Sequence, residues 1–257
     1  MPNNLAFLIT CITDMHVGSG DSNYGYIDKT VQRDAITHFP TIFSSSLKGA
    51  LREHLTQHKG LIPEDITTIF GSEHATEDKD MTQGEFRFFG ADLLALPIRN
   101  SESSGVSFYR ATCAQACVDL TTKLTRLESI PETTVSGWNW PITEPNSNAT
   151  KTEFGTGGAL YQSTHIGDNA IHLSNEDFRK ACKNLPVRAR NQLENGESKN
   201  LWYEEFVPRE TRFIFCVRCG ENSNLAERFK NTIDGKVIQF GANASVGMGF
   251  CLINKLG

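Results

Sequence analysis

The segment from His38 to Arg52 constrains the fold of this chain more than any other, because it joins an apolar stretch to three serines and the serines to a helical pattern. Ser44, Ser45 and Ser46 can each cap a helix, since a serine hydroxyl accepts a hydrogen bond from a free backbone amide of the first turn. The apolar residues that follow have the spacing of one buried helix face: Leu47, Ala50, Leu51 and Leu55. We therefore predict an amphipathic helix from Ser46 to Gln57.

Lys48 and Arg52 stand four residues apart on a flank of this face, with Gly49 between them. Free backbone amides at a helix N-terminus, a glycine and two cations together favour the binding of an anion such as a phosphate. Ser45, Ser46, Lys48 and Arg52 are therefore candidate anion-binding residues. The alternative is an ordinary amphipathic helix whose basic residues are solvated.

The composition sets limits on the class of protein. The 257 residues can bury a sizeable core, either in one elaborated domain or in a small domain with large insertions. Leu5–Ile12 is apolar but short and no basic residue precedes it, so we expect neither a signal peptide nor a membrane span. Seven cysteines without regular spacing fit a reducing cytosol better than a disulfide scaffold, so we expect a cytoplasmic protein.

The charge is unevenly distributed along the chain. The formal net charge of −5 argues against a nucleic-acid-binding protein, since such domains are usually basic. However, residues 178–193 carry five cations and no carboxylate, whereas residues 72–80 carry four carboxylates and one lysine. Such segregation is expected of a protein that grips a phosphate backbone locally. Two solvated surface stretches are the alternative.

Strand and helix signals alternate along the chain. A long loop rich in glycine and aspartate, Asp14–His38, separates the first strand from the predicted helix. We interpret residues 131–158, with Gly, Pro, Asn, Thr and two tryptophans, as an insertion or lid. The other predicted elements are strands at Leu5–Cys11, Gly84–Phe89, Thr211–Cys219 and Phe250–Leu256, and helices at Pro63–Gly71, Ala111–Leu127, Ser174–Cys182 and Asn224–Ile233. Strand, helix, strand, occurring twice, is the α+β plan of ferredoxin-like domains and of the RRM.

Asn195-Gly196 is the clearest turn signal, because both positions of a tight hairpin turn need a positive φ. It predicts a hairpin that pairs Val187–Leu193 with Glu197–Tyr203. Arg188 and Arg190 share one face of the first strand, since side chains alternate between faces. We therefore predict a protruding basic hairpin.

Five segments occur in the order in which one protein family has them: His16–Gly20, Ile27–Asp34, Phe39–Arg52, Leu201–Pro208 and Gly241–Gly249. In this order they resemble the RAMP superfamily, specifically the backbone subunit of type III CRISPR effector complexes. The resemblance is closest to the Cmr-type (III-B) branch, with the Csm-type subunit second. It covers about residues 5–100 and 185–255 and leaves about 130–180 unrecognised.

The resemblance implies a ferredoxin-like, RRM-like palm with a thumb β-hairpin and an insertion lid, in a single domain over residues 1–257. The palm comprises about 1–128 and 205–257, the lid about 129–176 and the thumb about 184–204. It also implies a protein that polymerises head to tail along a crRNA, with other effector subunits, and cleaves bound target RNA at regular intervals. The anion-binding candidates Ser45, Ser46, Lys48 and Arg52 are then RNA-binding candidates, with Lys48 and Arg52 clamping guide phosphates. The main alternative is a scaffold subunit that binds the crRNA without cutting.

Asp28 is the catalytic residue that the resemblance implies, since in similar families the aspartate of an Ile-Asp or Val-Asp pair in this loop cleaves target RNA. RNA carries its own nucleophile, the 2′-hydroxyl, so one carboxylate that accepts its proton or holds Mg²⁺ or another divalent cation can suffice. From the residues alone, an aspartate in a glycine-rich loop is more often a turn former. Lys29-Thr30 follows Asp28 where many relatives have an apolar residue and a proline, and we expect this to affect the rate more than the role.

The loop Gly241–Gly249 lacks the lysine of a nucleotide-binding P-loop, so nucleotide hydrolysis is not indicated. It resembles the glycine-rich loop of RAMP proteins, whose backbone amides approach RNA phosphates. Gly241, Asn243, Gly247 and Gly249 are its RNA-binding candidates. Glycines that only mark tight turns are the alternative.

The predicted hairpin resembles the thumb that, in this family, passes between guide and target strands and displaces one nucleotide pair. Arg188 and Arg190 are then candidate contacts of guide phosphates, and Val187 and Leu193 are candidate wedge residues. We interpret residues 202–204 as the packed base of the hairpin. A surface hairpin with solvent-facing arginines is the alternative.

Two other functions are less well supported. A guide-processing RAMP endonuclease acts on precursor RNA with a histidine, whereas we interpret His16 and His38 as structural. A generic RRM-type binder needs the aromatic RNP pattern, which the chain lacks. Cys216 and Cys219 face opposite sides of a predicted strand, so zinc binding is not predicted.

Overall fold

The computed structural model describes residues 4–20, 26–57, 60–72, 81–101, 105–145 and 150–257. Most of the acidic stretch noted above, residues 73–80, lies outside them. The described strands are β1 (Asn4–Cys11), β2 (Thr41–Ile42), β3 (Arg87–Phe88), β4 (Ala91–Arg99), β5 (Phe108–Cys113), β6 (Thr150–Thr152), β7 (Gly155–Gly157), β8 (Tyr161–Ser163), β9 (Gly167–Leu173), β10 (Val187–Glu194), β11 (Glu197–Glu205), β12 (Arg212–Arg218), β13 (Val237–Gln239) and β14 (Phe250–Leu256). The described helices are α1 (Ser44–Gln57), α2 (Pro63–Phe70), α3 (Ala114–Arg126), α4 (Glu132–Ser136), α5 (Asn175–Lys183) and α6 (Ser223–Ile233).

Four strands form the palm. β14, β1, β12 and β4 lie side by side, each antiparallel to its neighbour. Because α1 follows β1 and α6 follows β12, the connectivity is that of a ferredoxin-like domain, and the predicted fold class is confirmed. Both helices bury their apolar stripes on one face of the sheet. There Phe7 of β1 stacks on Phe215 of β12 with ring centroids 5.1 Å apart and meets Phe229 of α6 edge to face at 6.3 Å.

The opposite face of the palm sheet is also buried. Leu8 of β1 and Ile214 of β12 point to this face, and α3 covers them with Leu120 and Leu124. Trp140, which is 7% exposed, packs into the same cluster from the segment after α4. An RRM leaves this face open and stacks bases on it. The palm therefore shares the connectivity of an RRM but not its open sheet face.

The region between the two halves of the palm extends the sheet. β5 pairs antiparallel with β4, and β9 pairs parallel with β5. A parallel pair requires a crossover connection, and α3 lies within it. β7 and β8 pair with β9, and β6 pairs with β7. The region predicted as an insertion lid, 129–176, thus also contributes strands to the sheet.

Two predicted elements differ from the structure. Gly84–Phe89 is predicted as a strand, but only β3 within it pairs, and the second palm strand is β4 instead. β4 is buried on both faces from Leu93 to Leu96, so this part of its sequence is a continuous apolar run without the alternation that indicates a strand. Ala111–Leu127 is predicted as one helix, but residues 111–113 belong to β5, where the ladders to β4 and β9 hold them extended.

The other predicted elements are confirmed to within a few residues. α1 begins at Ser44 rather than at the predicted Ser46, because the Leu47 N–H donates to the Phe43 carbonyl at 2.9 Å and closes the first turn there. Ser174 caps α5 as predicted, with its side chain accepting a hydrogen bond from the first turn.

β10 and β11 form a two-stranded sheet separate from the large one. Asn195 and Gly196 join them with φ values of 53° and 86°, so the hairpin predicted from this dipeptide is confirmed. We call this hairpin the thumb. Most of its side chains are exposed.

All seven cysteines are buried and carry free thiols. Burial raises the pKa of the Cys113, Cys117 and Cys219 thiols to about 12, so they are not reactive thiolates at neutral pH. Within the described part of the chain, no group of three or more His, Cys, Asp or Glu side chains is placed to hold a metal ion. None of the described helices has the length and apolar character needed to span a membrane.

Candidate functional site

Residues 26–33, which we call the Asp28 loop, run alongside β11 at the base of the thumb. The backbone N–H groups of Asp28 and Lys29 both donate to the Tyr203 carbonyl at 3.1 Å, and the Glu205 N–H donates to the Lys29 carbonyl at 2.9 Å. Lys29 also forms a parallel bridge with Glu204. The Asp28 loop therefore adds a short parallel segment to the edge of the thumb.

Asp28 is exposed, and one of its carboxylate oxygens is held by the thumb. Oδ2 accepts a hydrogen bond from the Tyr203 N–H at 2.7 Å. The same thumb residue thus bonds both the backbone and the side chain of Asp28. The carboxylate is oriented by the backbone and remains open to a ligand.

Glu204 lies at the centre of the site, although the sequence indicated only that it belongs to the base of the hairpin. Its side chain is 4% exposed. Oε1 accepts from Trp202 Nε1 at 2.8 Å and from Lys29 Nζ at 3.2 Å, and Oε2 accepts from Asn243 Nδ2 at 3.0 Å and from Arg190 Nε at 3.2 Å. Burial alone raises the pKa of this carboxyl, but the hydrogen bonds from Trp202 and Lys29 outweigh it and bring the pKa to about 2. An ionised Glu204 joins the Asp28 loop, the thumb and the glycine-rich loop.

Glu205 holds the rest of the Asp28 loop. Its carboxylate accepts from Arg33 NH2 at 2.6 Å and from the Val31 N–H at 3.0 Å. Its carbonyl lies 2.6 Å from His16 Nδ1, and because a carbonyl cannot donate, this nitrogen carries the proton. His16 is 3% exposed, and its own carbonyl accepts from the Ala242 N–H at 2.9 Å. These contacts give His16 a structural role, as we interpreted it.

The glycine-rich loop, Gly241–Gly249, closes the other side of the site. Gly241 has a φ of 79°, and a Cβ at this position would lie 2.2 Å from the His16 carbonyl oxygen, so the close approach requires glycine. Asn243 and Gly247 have φ values of 66° and 78° and flank a short 3₁₀ turn, Ala244–Val246. The loop is shaped by contact with His16 at its start and by this exposed turn at its tip.

The predicted RNA contact of Gly249 is not supported by its position. Gly249 is buried, its N–H donates to the Asp14 carbonyl at 2.8 Å, and a Cβ would lie 2.0 Å from the Phe240 carbonyl oxygen. Its amide is already bonded within the protein and Gly249 closes the loop, so its RNA contact stays a prediction. Gly247 is exposed, but its N–H donates within the loop to the Ala244 carbonyl at 3.0 Å.

Arg188 and Arg190 lie on the thumb face that turns towards the palm. Arg190 contacts Glu204 and places NH2 2.8 Å from Met248 Sδ, and its side chain is 21% exposed. Arg188 NH2 donates to Asp14 Oδ2 at 3.0 Å. The shared face was predicted correctly, but carboxylates of the palm and of the thumb itself already pair both guanidinium groups. These contacts fasten the thumb to the palm.

The opposite face of the thumb carries exposed apolar side chains. Val187, Leu201 and Tyr203 lie on this face and are 41%, 54% and 43% exposed. Leu193, close to the turn, is 63% exposed. The two wedge candidates, Val187 and Leu193, are thus accessible, and their role stays a prediction.

The anion-binding candidates at the start of α1 separate into two pairs. Ser45 and Lys48 line an open surface cavity of about 380 Å³, together with Arg87. Their position agrees with an anion site and adds a second cation that the sequence had not suggested.

Ser46 and Arg52 instead hold α1 in place. Ser46 Oγ accepts from Gln32 Nε2 at 2.8 Å, and Arg52 NH2 donates to the Gly71 carbonyl at 2.9 Å. Gln32 is 5% exposed and its Oε1 accepts from the Phe43 N–H at 2.7 Å, so it ties the Asp28 loop to the start of the helix. Hydrogen bonds within the protein therefore account for Ser46 and Arg52.

Relatives of this chain are found among both sequences and solved structures. It is 26% identical to the CRISPR system Cmr endoribonuclease Cmr4 of Pyrococcus furiosus over an alignment of 279 positions, gaps included, which covers 93% of this chain and 91% of that protein. It is 35% identical to the CRISPR system CMR subunit Cmr4 of Saccharolobus solfataricus over 100 residues, which cover 39% of this chain and 31% of that protein.

Solved structures have the same fold as this chain over nearly its whole length. A chain of the type III-B Cmr-beta complex in its apo state matches with a TM-score of 0.78 at 20% identity, covering 98% of this chain and 97% of that one. Oligomeric Cmr4 from Pyrococcus furiosus matches with a TM-score of 0.69 at 19% identity, covering 99% and 98%. The profile of the RAMP superfamily matches residues 8–252. The chain belongs to the RAMP superfamily.

Proposed function

We propose that this chain is the backbone subunit of a type III-B CRISPR effector complex. In this role it binds crRNA and cleaves bound target RNA, with Asp28 as the catalytic residue. The observation that carries the proposal is the exposed Asp28 carboxylate, which the backbone of the thumb holds at 2.7 Å. The name of the Pyrococcus furiosus relative, an endoribonuclease, supports the activity.

The chemistry requires little of the protein because RNA supplies the nucleophile. The 2′-oxygen forms a bond to the adjacent phosphorus, the bond from phosphorus to the 5′-oxygen breaks, and the products are a 2′,3′-cyclic phosphate and a 5′-hydroxyl. Asp28 accepts the proton of the 2′-hydroxyl; if Asp28 instead held a divalent cation, water would accept that proton. Water protonates the departing 5′-oxygen. The main task of the protein is to hold the RNA so that attack is in line.

A divalent cation such as Mg²⁺ fits this site as a partly protein-bound ion. Hard cations prefer oxygen ligands, and Mg²⁺ commonly keeps several waters and takes one or two carboxylates with substrate phosphates. Asp28 supplies one exposed carboxylate for such an ion. The cation would stabilise negative charge that develops on the phosphate.

The proposal includes assembly. Copies of the chain associate head to tail along the crRNA, in a heterologous arrangement that builds a filament, and join other effector subunits. Two similar structures support this arrangement. One is oligomeric Cmr4, and the other is a chain of a Cmr-beta complex bound to cognate target RNA, which matches this chain with a TM-score of 0.79. The seven reduced cysteines support a cytoplasmic location.

Replacing Asp28 with Asn tests the proposal in the assembled complex. We expect at least a hundredfold loss of target cleavage with unchanged binding of crRNA and target RNA. Asp234→Asn is a matched control, because Asp234 is also exposed and its Oδ1 also accepts a backbone N–H, that of Lys255, at 2.7 Å. Wild-type cleavage by Asp28→Asn would leave only the scaffold role.

Metal dependence is tested separately in the same assay. We expect EDTA to stop cleavage and added Mg²⁺ to restore it. Full activity after chelation would mean that Asp28 acts as a base without a metal ion.

A further inference from the structure

One buried carboxylate contacts all three segments that surround Asp28. Glu204 bonds Lys29 of the Asp28 loop, Arg190 of the thumb and Asn243 of the glycine-rich loop. Trp202 completes the set with the shortest of these hydrogen bonds, at 2.8 Å. A carboxylate that accepts four hydrogen bonds has its lone pairs fully used, so it fixes the relative positions of its donors.

The charges at this cluster do not cancel. Lys29 and Arg190 bring two positive charges to the single negative charge of Glu204. The Lys29 side chain is 54% exposed, and its ammonium lies 5.1 Å from the centre of the Trp202 ring. Without Asp28 the cluster therefore carries one surplus positive charge, and Lys29 places its ammonium group at the surface in the residue next to the Asp28 carboxylate.

The contact with Lys29 also controls where Asp28 sits. The N–H groups of Asp28 and Lys29 both donate to the Tyr203 carbonyl, and Asp28 Oδ2 accepts a hydrogen bond from the Tyr203 N–H. The Lys29 side chain is anchored on Glu204 and so adds a side-chain contact to the backbone hydrogen bonds that align the Asp28 loop with β11. Without that anchor the loop can shift along the thumb edge and move the Asp28 carboxylate.

We propose that Glu204 is a positioning residue of the cleavage site, acting through Lys29 on the register of Asp28. This inference rests on the proposed function. Its role is distinct from that of a general core ion pair, because the groups it fixes are those around the reacting phosphate.

Glu204→Gln tests the inference, because glutamine keeps the size of the side chain and removes its charge. Asp65→Asn is the matched control: Asp65 is also a largely buried carboxylate, 11% exposed, and pairs with Arg228 at 2.6 Å away from this site. Each variant is assembled into the complex, and single-turnover cleavage is measured over a range of target RNA concentrations. Melting temperature and crRNA affinity are measured on the same samples.

We expect Glu204→Gln to lower the cleavage rate at saturating target by about tenfold to a hundredfold, since small displacements of a reacting group have effects of this size. The target RNA concentration that gives half the maximal rate should change by less than threefold in Glu204→Gln. The Asp65→Asn variant should cleave at the wild-type rate. In a Lys29→Gln background, the further effect of Glu204→Gln should fall below threefold, because Glu204 then has no lysine to position.

The outcomes separate this inference from the proposed function. If Asp28→Asn cleaves like the wild type, the proposed function fails and this inference with it. If Asp28→Asn is inactive but Glu204→Gln stays within twofold of the wild type, or loses no more activity than Asp65→Asn, only the inference is overturned. Should Glu204→Gln fail to assemble, Lys29→Gln removes the group through which Glu204 acts, and an unchanged cleavage rate would overturn the inference equally.

Discussion

The glycine-rich loop offers a direct comparison between two glycines that differ in one respect. Gly241 and Gly247 have nearly the same φ, 79° and 78°. A Cβ at Gly247 meets nothing within 4 Å, whereas a Cβ at Gly241 would lie 2.2 Å from the His16 carbonyl oxygen. Gly247→Ala therefore measures the backbone strain alone, and Gly241→Ala measures the same strain plus a clash with His16.

The expected magnitudes follow from the geometry. An alanine held at this left-handed φ costs about 1 kcal/mol relative to glycine. At Gly241 the Cβ and the His16 oxygen must also separate from 2.2 Å to at least 3.0 Å, and neither atom belongs to a flexible side-chain end. Overpacking of this kind costs about 1–3 kcal/mol. We expect a free-energy loss of about 1 kcal/mol for Gly247→Ala and about 2–4 kcal/mol for Gly241→Ala.

Urea unfolding of the isolated chain measures both losses, and thermal melting provides a second readout, with about 2–4 °C for each kcal/mol at this chain length. Gly241→Ala should also displace His16 from the Glu205 carbonyl, because Ala242 and Glu205 both bond His16. Equal losses for the two variants would refute the reasoning, since they would show that His16 does not confine the loop.

Two further predictions concern stability. The pKa of Glu204 is lowered from its usual 4.5 to about 2, so ionised Glu204 stabilises the fold fully above pH 4.5, and about 3 kcal/mol of this stabilisation is lost as the pH falls towards 2. Between pH 5 and pH 3, the free energy of unfolding in urea should therefore fall by about 2 kcal/mol less for Glu204→Gln than for the wild type. Equal falls for the two proteins would contradict the shifted pKa. Trp140→Ala should lower the free energy of unfolding by about 3–5 kcal/mol, because its side chain is only 7% exposed against the second sheet face. A loss below about 1 kcal/mol would mean that this face is not covered as described.

The parts of the fold that could be predicted from the sequence are those with local signals. Asn195-Gly196 determines the turn of the thumb by itself, and Ser174 marks the start of α5. β4 carries no such signal, because burial on both faces removes the alternation that distinguishes a strand. The start of Ala111–Leu127 was assigned to a helix because its pairing with β9 involves residues about sixty positions away.

The candidate site shows the same division. Asp28 was found through a motif, and nothing in the structure conflicts with its exposure to a ligand. Glu204 was missed as a site residue because two of its partners, Lys29 and Asn243, come from segments far away in the sequence. The spacing of Arg188 and Arg190 shows that they share a face but not which face is covered. The contact of the thumb with the palm determines which face is covered.

Burial of both faces of the palm sheet bears on what this protein can distinguish in a nucleic acid. Where bases stack on an open sheet, pockets between the strands select particular bases. Here α3 and Trp140 occupy that surface, so bases cannot stack on the palm sheet. Under the proposed function, the palm sheet therefore takes no part in reading base sequence, and the choice of target is left to base pairing.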